Sequence, residues 1–283
     1  MILITGAGGN VGKEVLKQIA QTEVRVRAAF QSVGKATTVP AGVEIVAMDY
    51  NQPETVRAAL QDVERVFLVG PPTANLLALE RKAVDEIRRS GADVVKLSAT
   101  GGRGAIFPRQ HADSEEYIKS SGVPYIFLRP NGFMQNLVIY NSGTINSQNA
   151  FYGCQGDGKV SHIDLRDIAA VAVKVLTESW QSGAAYTLTG PEAITNTRIA
   201  EILSEDMGRE IHYVDLPAEQ FELALVGAGV PQWSANALLD LQQFYRKGRA
   251  SAVTHDVEEL LGRKPISFEQ FSRDYRTAFQ RAA

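Results

Sequence analysis

Short apolar runs alternate with segments of helical period through the first half of the chain. Ile2-Leu3-Ile4 opens it and reads as a buried strand. Further strand candidates stand at 24–30, 43–48, 66–69, 94–97 and 125–128. Apolar positions at Val11, Val15, Leu16 and Ile19 predict a helix after the first strand, and segments 54–60, 76–90 and 113–120 predict others. Gln52-Pro53-Glu54 is a helix-start signal, and Gly91, after Arg88-Arg89-Ser90, is a stop. Alternating strands and helices imply a parallel sheet covered by helices. From 131 to 159 the chain turns polar and rich in Asn, Ser and Gly, which predicts a long loop. A helix at 167–177 and a strand at 185–189 return it to the sheet. Beyond Gly190 the pattern is helical, at 197–207, 218–226, 233–245 and 267–279, the last opening on the capping box Ser267-Phe268-Glu269-Gln270. The expectation is an α/β chain. A doubly wound parallel sheet spans 1–190, a small and mainly helical lobe spans 191–283, and the 131–160 loop contributes to the site.

Three glycines, Gly6, Gly9 and Gly12, lie between the first strand and its helix. Backbone N–H groups at a helix N-terminus point at an anion, and glycines let the backbone approach it, so this unit can seat a pyrophosphate. The strand at 24–30 closes the βαβ unit that the reading needs. Composition narrows the partners. A formal net charge of -3 over 283 residues argues against nucleic acid or an anionic membrane. The single cysteine, Cys154, excludes an intrachain disulfide and has no metal-ligand spacing around it. A strand that starts at Met1 leaves no room for a signal peptide, and no apolar run approaches the ~20 residues of a membrane span. A cytoplasmic protein acting on a small molecule, as monomer or homodimer, is expected.

Several segments in order resemble one group. They are I-T-G-A-G-G-N-V-G, M-D-Y, V-G-P-P, L-S-A-T-G-G, the long H-A-D-S-E-E-Y-I-K-S-S-G-V-P-Y-I-F-L-R-P-N-G-F-M-Q-N, H-I-D-L-R-D-I-A-A-V-A, Y-T-L-T-G-P-E-A-I-T and G-V-P-Q-W. Together they resemble the NmrA-like, atypical short-chain dehydrogenase/reductases, in the branch of the triphenylmethane and quinone reductases. The resemblance runs from residue 2 to about 260. It implies a Rossmann core, NAD(P) binding and a C-terminal substrate lobe. It assigns Gly6, Gly9, Asn10, Val11 and Gly12 to the pyrophosphate, and Asp49 and Tyr50 to the adenine side. Asp49 reads equally as a turn or cap before Asn51-Gln52-Pro53. Gly70, Pro71 and Pro72 end the fourth strand, where the cofactor's ribose would lie.

The residue that selects NAD is an acid at the end of the second strand, bonded to the ribose 2′-OH. No acid occurs between Val24 and Thr38. Lys35 offers a cation to a 2′-phosphate, and Gln31 and Ser32 offer hydrogen bonds, so NADP is expected and NAD is the alternative.

The Tyr-x-x-x-Lys dyad of ordinary short-chain dehydrogenases is missing. Tyr117 is followed four residues on by Ser121, which leaves Tyr117 a packing residue. His111 reads as the opening of the helix after the fifth strand and matches a family histidine. It could donate a proton near neutral pH, with Glu115 one turn on to orient it, or be structural. Ser98 and Thr100 end the fifth strand, where a hydroxyl could polarise a carbonyl or bond the carboxamide, or simply form a turn. Pro130, Asn131 and Phe133 resemble the segment that covers the nicotinamide. Phe133, Met134 and Trp233 read as pocket lining or as core. Asp164 and Asp167 look like paired carboxylates, but Asp167 reads as a helix cap. No residues have metal-ligand spacing, and no serine sits in G-x-S-x-G. Two functions stay open. One is hydride transfer from NAD(P)H to a small, apolar, electron-poor acceptor such as a quinone, an imine or a dye. The other is a dinucleotide-binding regulator without catalysis.

Overall fold

The structure, a computed structural model, describes residues 1–36, 39–179 and 181–280. Its elements begin with β1 (Ile2–Ile4), α1 (Asn10–Ile19), β2 (Val26–Phe30), β3 (Glu44–Ala47), α2 (Pro53–Ala59), β4 (Arg65–Leu68) and α3 (Leu76–Ser90). Then come β5 (Asp93–Leu97), α4 (Ile106–Ser121), β6 (Tyr125–Pro130), α5 (Gln135–Gln148), β7 (Ala150–Gly153), α6 (Leu165–Thr177) and β8 (Ala184–Leu188). The remainder is α7 (Asn196–Met207), β9 (His212–Asp215), α8 (Ala218–Gly227), α9 (Gln232–Arg246), α10 (Asp256–Leu261) and α11 (Phe268–Asp274).

The buried run Ile2–Ile4 needs neighbours on both edges, and it has them: β2 and β4 pair with it in parallel, Ile2 standing opposite Val26 and Arg65. Seven strands follow the order β3-β2-β1-β4-β5-β6-β8. The order reverses between β1 and β4, which makes the switch point where open α/β sheets bind ligands. This is the doubly wound sheet expected from the alternating pattern.

Strand alternation divides the sheet's side chains between two faces. Leu3, Val66, Leu68, Val94 and Phe127 form one core with Val84 and Ile87 of α3 and Ile118 of α4. Their sequence neighbours point to the other face, where α6 packs on β4, β5 and α1. Pro53 starts α2, and Gly91 ends α3 in the left-handed conformation (φ 79°), as the sequence signals require.

The chain forms two compact units. One holds 1–102, 108–129 and 165–187; the other holds 103–107, 130–164 and 188–283. In the second, β7 and β9 pair in parallel. Ile145, Phe151, Ile199, Leu203, Phe268 and Phe271 are among its core residues. Ser267 caps α11 by accepting from the Gln270 N–H at 3.3 Å.

Four local expectations are corrected. The stretch 131–159 is not a loop: it contains α5 and β7. α5 has little apolar periodicity, with Gln135 and Ile145 its buried residues, and distant groups hold it. Arg209 donates to the Ile145 carbonyl at 3.0 Å and to the Phe279 carbonyl at 2.7 Å, while Asn146 donates to the Ala278 carbonyl at 2.9 Å. α4 begins at Ile106 rather than 113, because the Asp240 carboxylate accepts the Ile106 N–H at 2.6 Å. α6 begins at Leu165, so Asp167 lies inside its first turn and is not its cap. The expected 267–279 helix breaks after Asp274 into a short 3-10 turn over Arg276–Phe279. Among the described residues no helix is long and apolar enough to cross a membrane.

Candidate active site

The glycine turn is a cradle by exclusion. Gly6 has φ +61°, and a side chain there would start 2.9 Å from Val69 Cβ. At Gly12 it would start 2.2 Å from the Gly6 carbonyl oxygen and 2.9 Å from Ala7 Cα, all rigid backbone. The Gly9 N–H donates to the Gly6 carbonyl at 2.9 Å, which closes the turn. Gly9 is the N-cap of α1 and supplies no side chain to it, and the first turn of α1 holds no acid. The leading N–H groups of Asn10, Val11 and Gly12 have no partner within the helix. Gly6, Gly8, Gly9 and Asn10 are exposed, so a phosphate can reach them. These residues fit the pyrophosphate of a dinucleotide.

At the end of β2, Gln31 and Ser32 are exposed beside the turn Val33–Lys35. The Lys35 side chain lies outside the described residues. Asp49 takes the turn reading: its Oδ1 accepts the Asn51 N–H at 2.8 Å. Tyr50 donates its hydroxyl to the Val69 carbonyl at 3.0 Å, and burial pushes its pKa up, so it stays a neutral clamp on the end of β4. Thr5, just after β1, makes the matching bond, its Oγ1 accepting the Val69 N–H at 2.8 Å. Gly70 is fixed by its neighbour, since a Cβ would lie 2.5 Å from Glu80 Oε1. Pro71 and Pro72 continue outward from it.

Beyond β5 lies a buried polar network that the sequence reading missed. The two-residue period puts Val94, Lys96 and Ser98 on one face, toward α3 and α4. Helical spacing puts His111, Ser114, Glu115 and Ile118 on one stripe of α4, and all four are buried. Lys96 and Glu80 are both fully buried, with Nζ 2.7 and 2.6 Å from the two carboxylate oxygens. Ser114 donates its hydroxyl to the same carboxylate. Lys96 also stands 3.4 Å from His111 Nδ1. An ammonium only donates, so Nδ1 accepts and the ring proton is assigned to Nε2.

This alters the part His111 can play. It does not open α4 but lies in its second turn. Burial first, then the Lys96 charge, hold its pKa well below the ordinary value, so it is neutral at physiological pH. It is a hydrogen-bond donor and not a proton reservoir. Glu115 does not orient it through the expected pairing. That carboxylate accepts from Ser98 Oγ at 2.5 Å and from Arg129 at 2.9 and 2.5 Å. Ser98 is thereby committed as a donor to Glu115. Thr100 is half-buried, in the turn before Gly101 and Gly102, both at positive φ. Tyr117 donates to Asp85 at 2.6 Å and packs against the core. Two signals could have exposed the network. Lys96 interrupts the apolar run V-V-K-L, and Glu80 falls on the apolar stripe of α3 between Leu76 and Val84.

In the second unit, Asn131 is a tie between chain segments. Its amide donates to Ser161 Oγ and to the Ala250 carbonyl, both at 2.8 Å, and its Oδ1 accepts the Gly132 N–H at 2.9 Å. Pro130 is buried before it, and Phe133 is half-buried, bridged to Ile163. Met134 belongs to the core and not to a pocket wall. Trp233 is half-buried against Phe107, ring centroids 6.1 Å apart. Asp164 accepts from Gln135 at 2.8 Å. Cys154 is buried, and burial pushes its thiol pKa up. Among the described residues no group of His, Cys, Asp and Glu could hold a metal ion.

A family model described as "NmrA-like family" matches residues 1–272. The NAD(P)H azoreductase of Xenophilus azovorans is 32% identical over 284 residues, 99% of each chain. The crystal structure of an Escherichia coli NADPH-dependent quinone oxidoreductase complexed with NADPH superposes with a TM-score of 0.89. It is 25% identical, and the match covers 98% of this chain and 100% of that one. The Citrobacter sp. triphenylmethane reductase complexed with NADP(H) gives a TM-score of 0.86 at 26% identity, covering 97% and 99%.

Proposed function

The chain belongs to the NmrA-like family, and on that footing we propose that it is an NAD(P)H-dependent oxidoreductase. The observation that carries the proposal is the glycine cradle, where Gly12 excludes any side chain and the first turn of α1 stands open to an anion. Gly6, Gly9, Asn10, Val11 and Gly12 hold the pyrophosphate. Gln31, Ser32 and Lys35 receive a 2′-phosphate, which favours NADP over NAD because no carboxylate stands there to repel it. Asp49 and Tyr50 border the adenine through their backbone, since their side chains are engaged. Gly70, Pro71 and Pro72 line the ribose, and Ser98, at the end of β5, stands at the nicotinamide end.

The reduced nicotinamide supplies the hydride. The acceptor is a small, apolar, electron-poor molecule: a quinone, an imine, an azo compound or a triphenylmethane-like dye. Such acceptors need alignment more than acid catalysis, which suits a chain without Tyr-x-x-x-Lys. His111, neutral and held by Lys96, donates a hydrogen bond from Nε2 toward the charge that develops on the acceptor, and Thr100 adds a hydroxyl. The protein acts in the cytoplasm, as monomer or homodimer.

Titration calorimetry with NADPH and NADH, followed by oxidation at 340 nm against a panel of quinones, azo dyes and iminium compounds, tests the reading. Expected are tighter binding of NADPH and turnover of at least one class. Tighter NADH binding overturns the cofactor preference. NADPH binding with no turnover across the panel overturns the reductase in favour of a regulator.

A further inference from the structure

A parallel strand covered on both faces ordinarily carries apolar side chains. Lys96 breaks that rule in the middle of β5, between Leu68 of β4 and Phe127 of β6. Its partner Glu80 breaks the apolar stripe of α3 in the same way. An apolar pair of similar volume would hold the two elements together about as well, so stability gives no reason for the ions. Their place in the fold does, because Lys96 Nζ stands 3.4 Å from His111 Nδ1.

The Glu80 carboxylate is held from several directions. Lys96 Nζ lies 2.7 and 2.6 Å from its two oxygens, and Ser114 donates its hydroxyl to it. The bare backbone of Gly70 makes room for Oε1, which a Cβ there would meet at 2.5 Å. Two N–H groups of the lysine go to this carboxylate, leaving one for the Leu97 carbonyl and His111 Nδ1, each 3.4 Å away. The other carboxylate on the buried stripe of α4, Glu115, is taken by Ser98 and by Arg129 of β6. In the hydrolase triad a carboxylate accepts from Nδ1–H, which leaves a lone pair on Nε2 and makes the ring a base. Here an ammonium stands where the triad has a carboxylate, and the polarity of the ring is reversed.

We propose that Glu80 and Lys96 are positioning residues for His111, the carboxylate anchoring the ammonium and the ammonium fixing the ring with its proton on Nε2. His111 then has a hydrogen bond to give at Nε2 and no lone pair there to take a proton. The site suits a reacting atom that carries a lone pair, and it does not draw a proton from a substrate hydroxyl. The effect on turnover rests on the reductase reading above; the state of the ring does not.

The test reads the ring directly. The chain has four histidines, and in nitrogen-labelled protein the His111 signals are those lost in His111→Gln. Long-range proton–nitrogen correlation at neutral pH shows which ring nitrogen carries the proton, and Nε2 is expected in the wild type. In Glu80→Gln the lysine has no counter-charge, and a buried amine without one gives up its proton. Imidazole N–H is a stronger donor than an amine, and an amine nitrogen a stronger acceptor than imidazole, so the ring proton should move to Nδ1. Glu80→Leu with Lys96→Met removes both ions. It should melt within a few degrees of the wild type but leave the ring a mixture of tautomers. With an acceptor that the wild type reduces, its kcat should stay down about tenfold or more while the KM for NADPH holds. A pair that serves stability alone would return kcat along with the melting temperature. A wild-type proton on Nδ1, a Glu80→Gln ring that keeps its proton on Nε2, or wild-type kcat in the double variant overturns the inference. If Glu80→Gln fails to fold, the wild-type spectrum and the double variant decide. A wild type that reduces no acceptor of the panel refutes the reductase reading and leaves the ring measurements to decide this one.

Discussion

Replacing Lys96 by Met separates a buried ion pair from its surroundings in the cleanest way the structure offers. Lys96 and Glu80 are both fully buried, and both carboxylate oxygens lie within 2.7 Å of the ammonium. Met keeps the unbranched shape but leaves the buried Glu80 without its cation, supported by the Ser114 hydroxyl alone. Breaking one side of such a pair costs about 3–5 kcal/mol, a large part of the roughly 5–15 kcal/mol that holds a domain folded. Replacing both partners, Glu80→Leu with Lys96→Met, removes both desolvation penalties and should cost about 1 kcal/mol or less. The coupling energy is therefore expected to exceed about 2 kcal/mol. An exposed pair gives the contrast: Lys174 and Glu178 are 2.9 Å apart but 35% and 58% exposed, and Lys174→Ala should cost no more than about 0.5 kcal/mol. Urea unfolding, followed by circular dichroism and fluorescence on all four variants, measures each quantity. If Lys96→Met costs under about 1 kcal/mol, or the double variant equals the sum of the singles, the pair is not the tightly coupled unit described.

Gly12→Ala should abolish dinucleotide binding by calorimetry and lower stability by about 1–3 kcal/mol, because its Cβ meets backbone at 2.2 Å. Gly8→Ala, whose Cβ would meet Phe30 at an ordinary 3.5 Å, should leave the fold intact, and equal damage by both changes would refute the cradle. Stability should fall as pH drops from about 6.5 to about 4. His162 has the lower pKa in the folded chain, so the unfolded chain binds the extra proton over that window, and its contribution, complete above the upper limit, amounts to about 3 kcal/mol at most. His111 acts in the same direction. Melting curves at pH 8, 6, 5 and 4 check this, with His162→Phe expected to flatten the profile; an unchanged slope in that variant would remove the cause. Asn131→Ala should cost about 2–3 kcal/mol by losing three hydrogen bonds, two at 2.8 Å and one at 2.9 Å, while NADPH affinity stays within a few-fold; a large loss of affinity would show direct contact.

Features governed by neighbours in sequence were legible. The apolar runs, the glycine turn, Pro53, Gly91 and the Ser267 cap all took the form their local chemistry dictates. Features supplied from a distance were not. α5 lacks a periodic apolar face and leans on Arg209, more than sixty residues on. The start of α4 depends on Asp240, 134 residues away. The role of His111 changed because Lys96 and Glu80, each unremarked in its own segment, meet only when β5 lies against α3. Glu115 was assigned to the wrong neighbour for the same reason, since Arg129 comes from the following strand.

The excursion of residues 130–164 into the second unit also sets a schedule for synthesis on the ribosome. β6 is complete at Pro130, but its neighbour β8 does not emerge until residues 184–188. At about 5–20 residues per second, a nascent chain carries that unpaired strand edge for several seconds. α1 waits longer. Its Gln18 bonds to the Arg166 carbonyl, 148 residues downstream, and α6 is the helix it packs against. The cradle for the dinucleotide is thus among the first segments made and among the last to be braced, so chaperone dependence should track the 130–183 interval rather than the glycine turn.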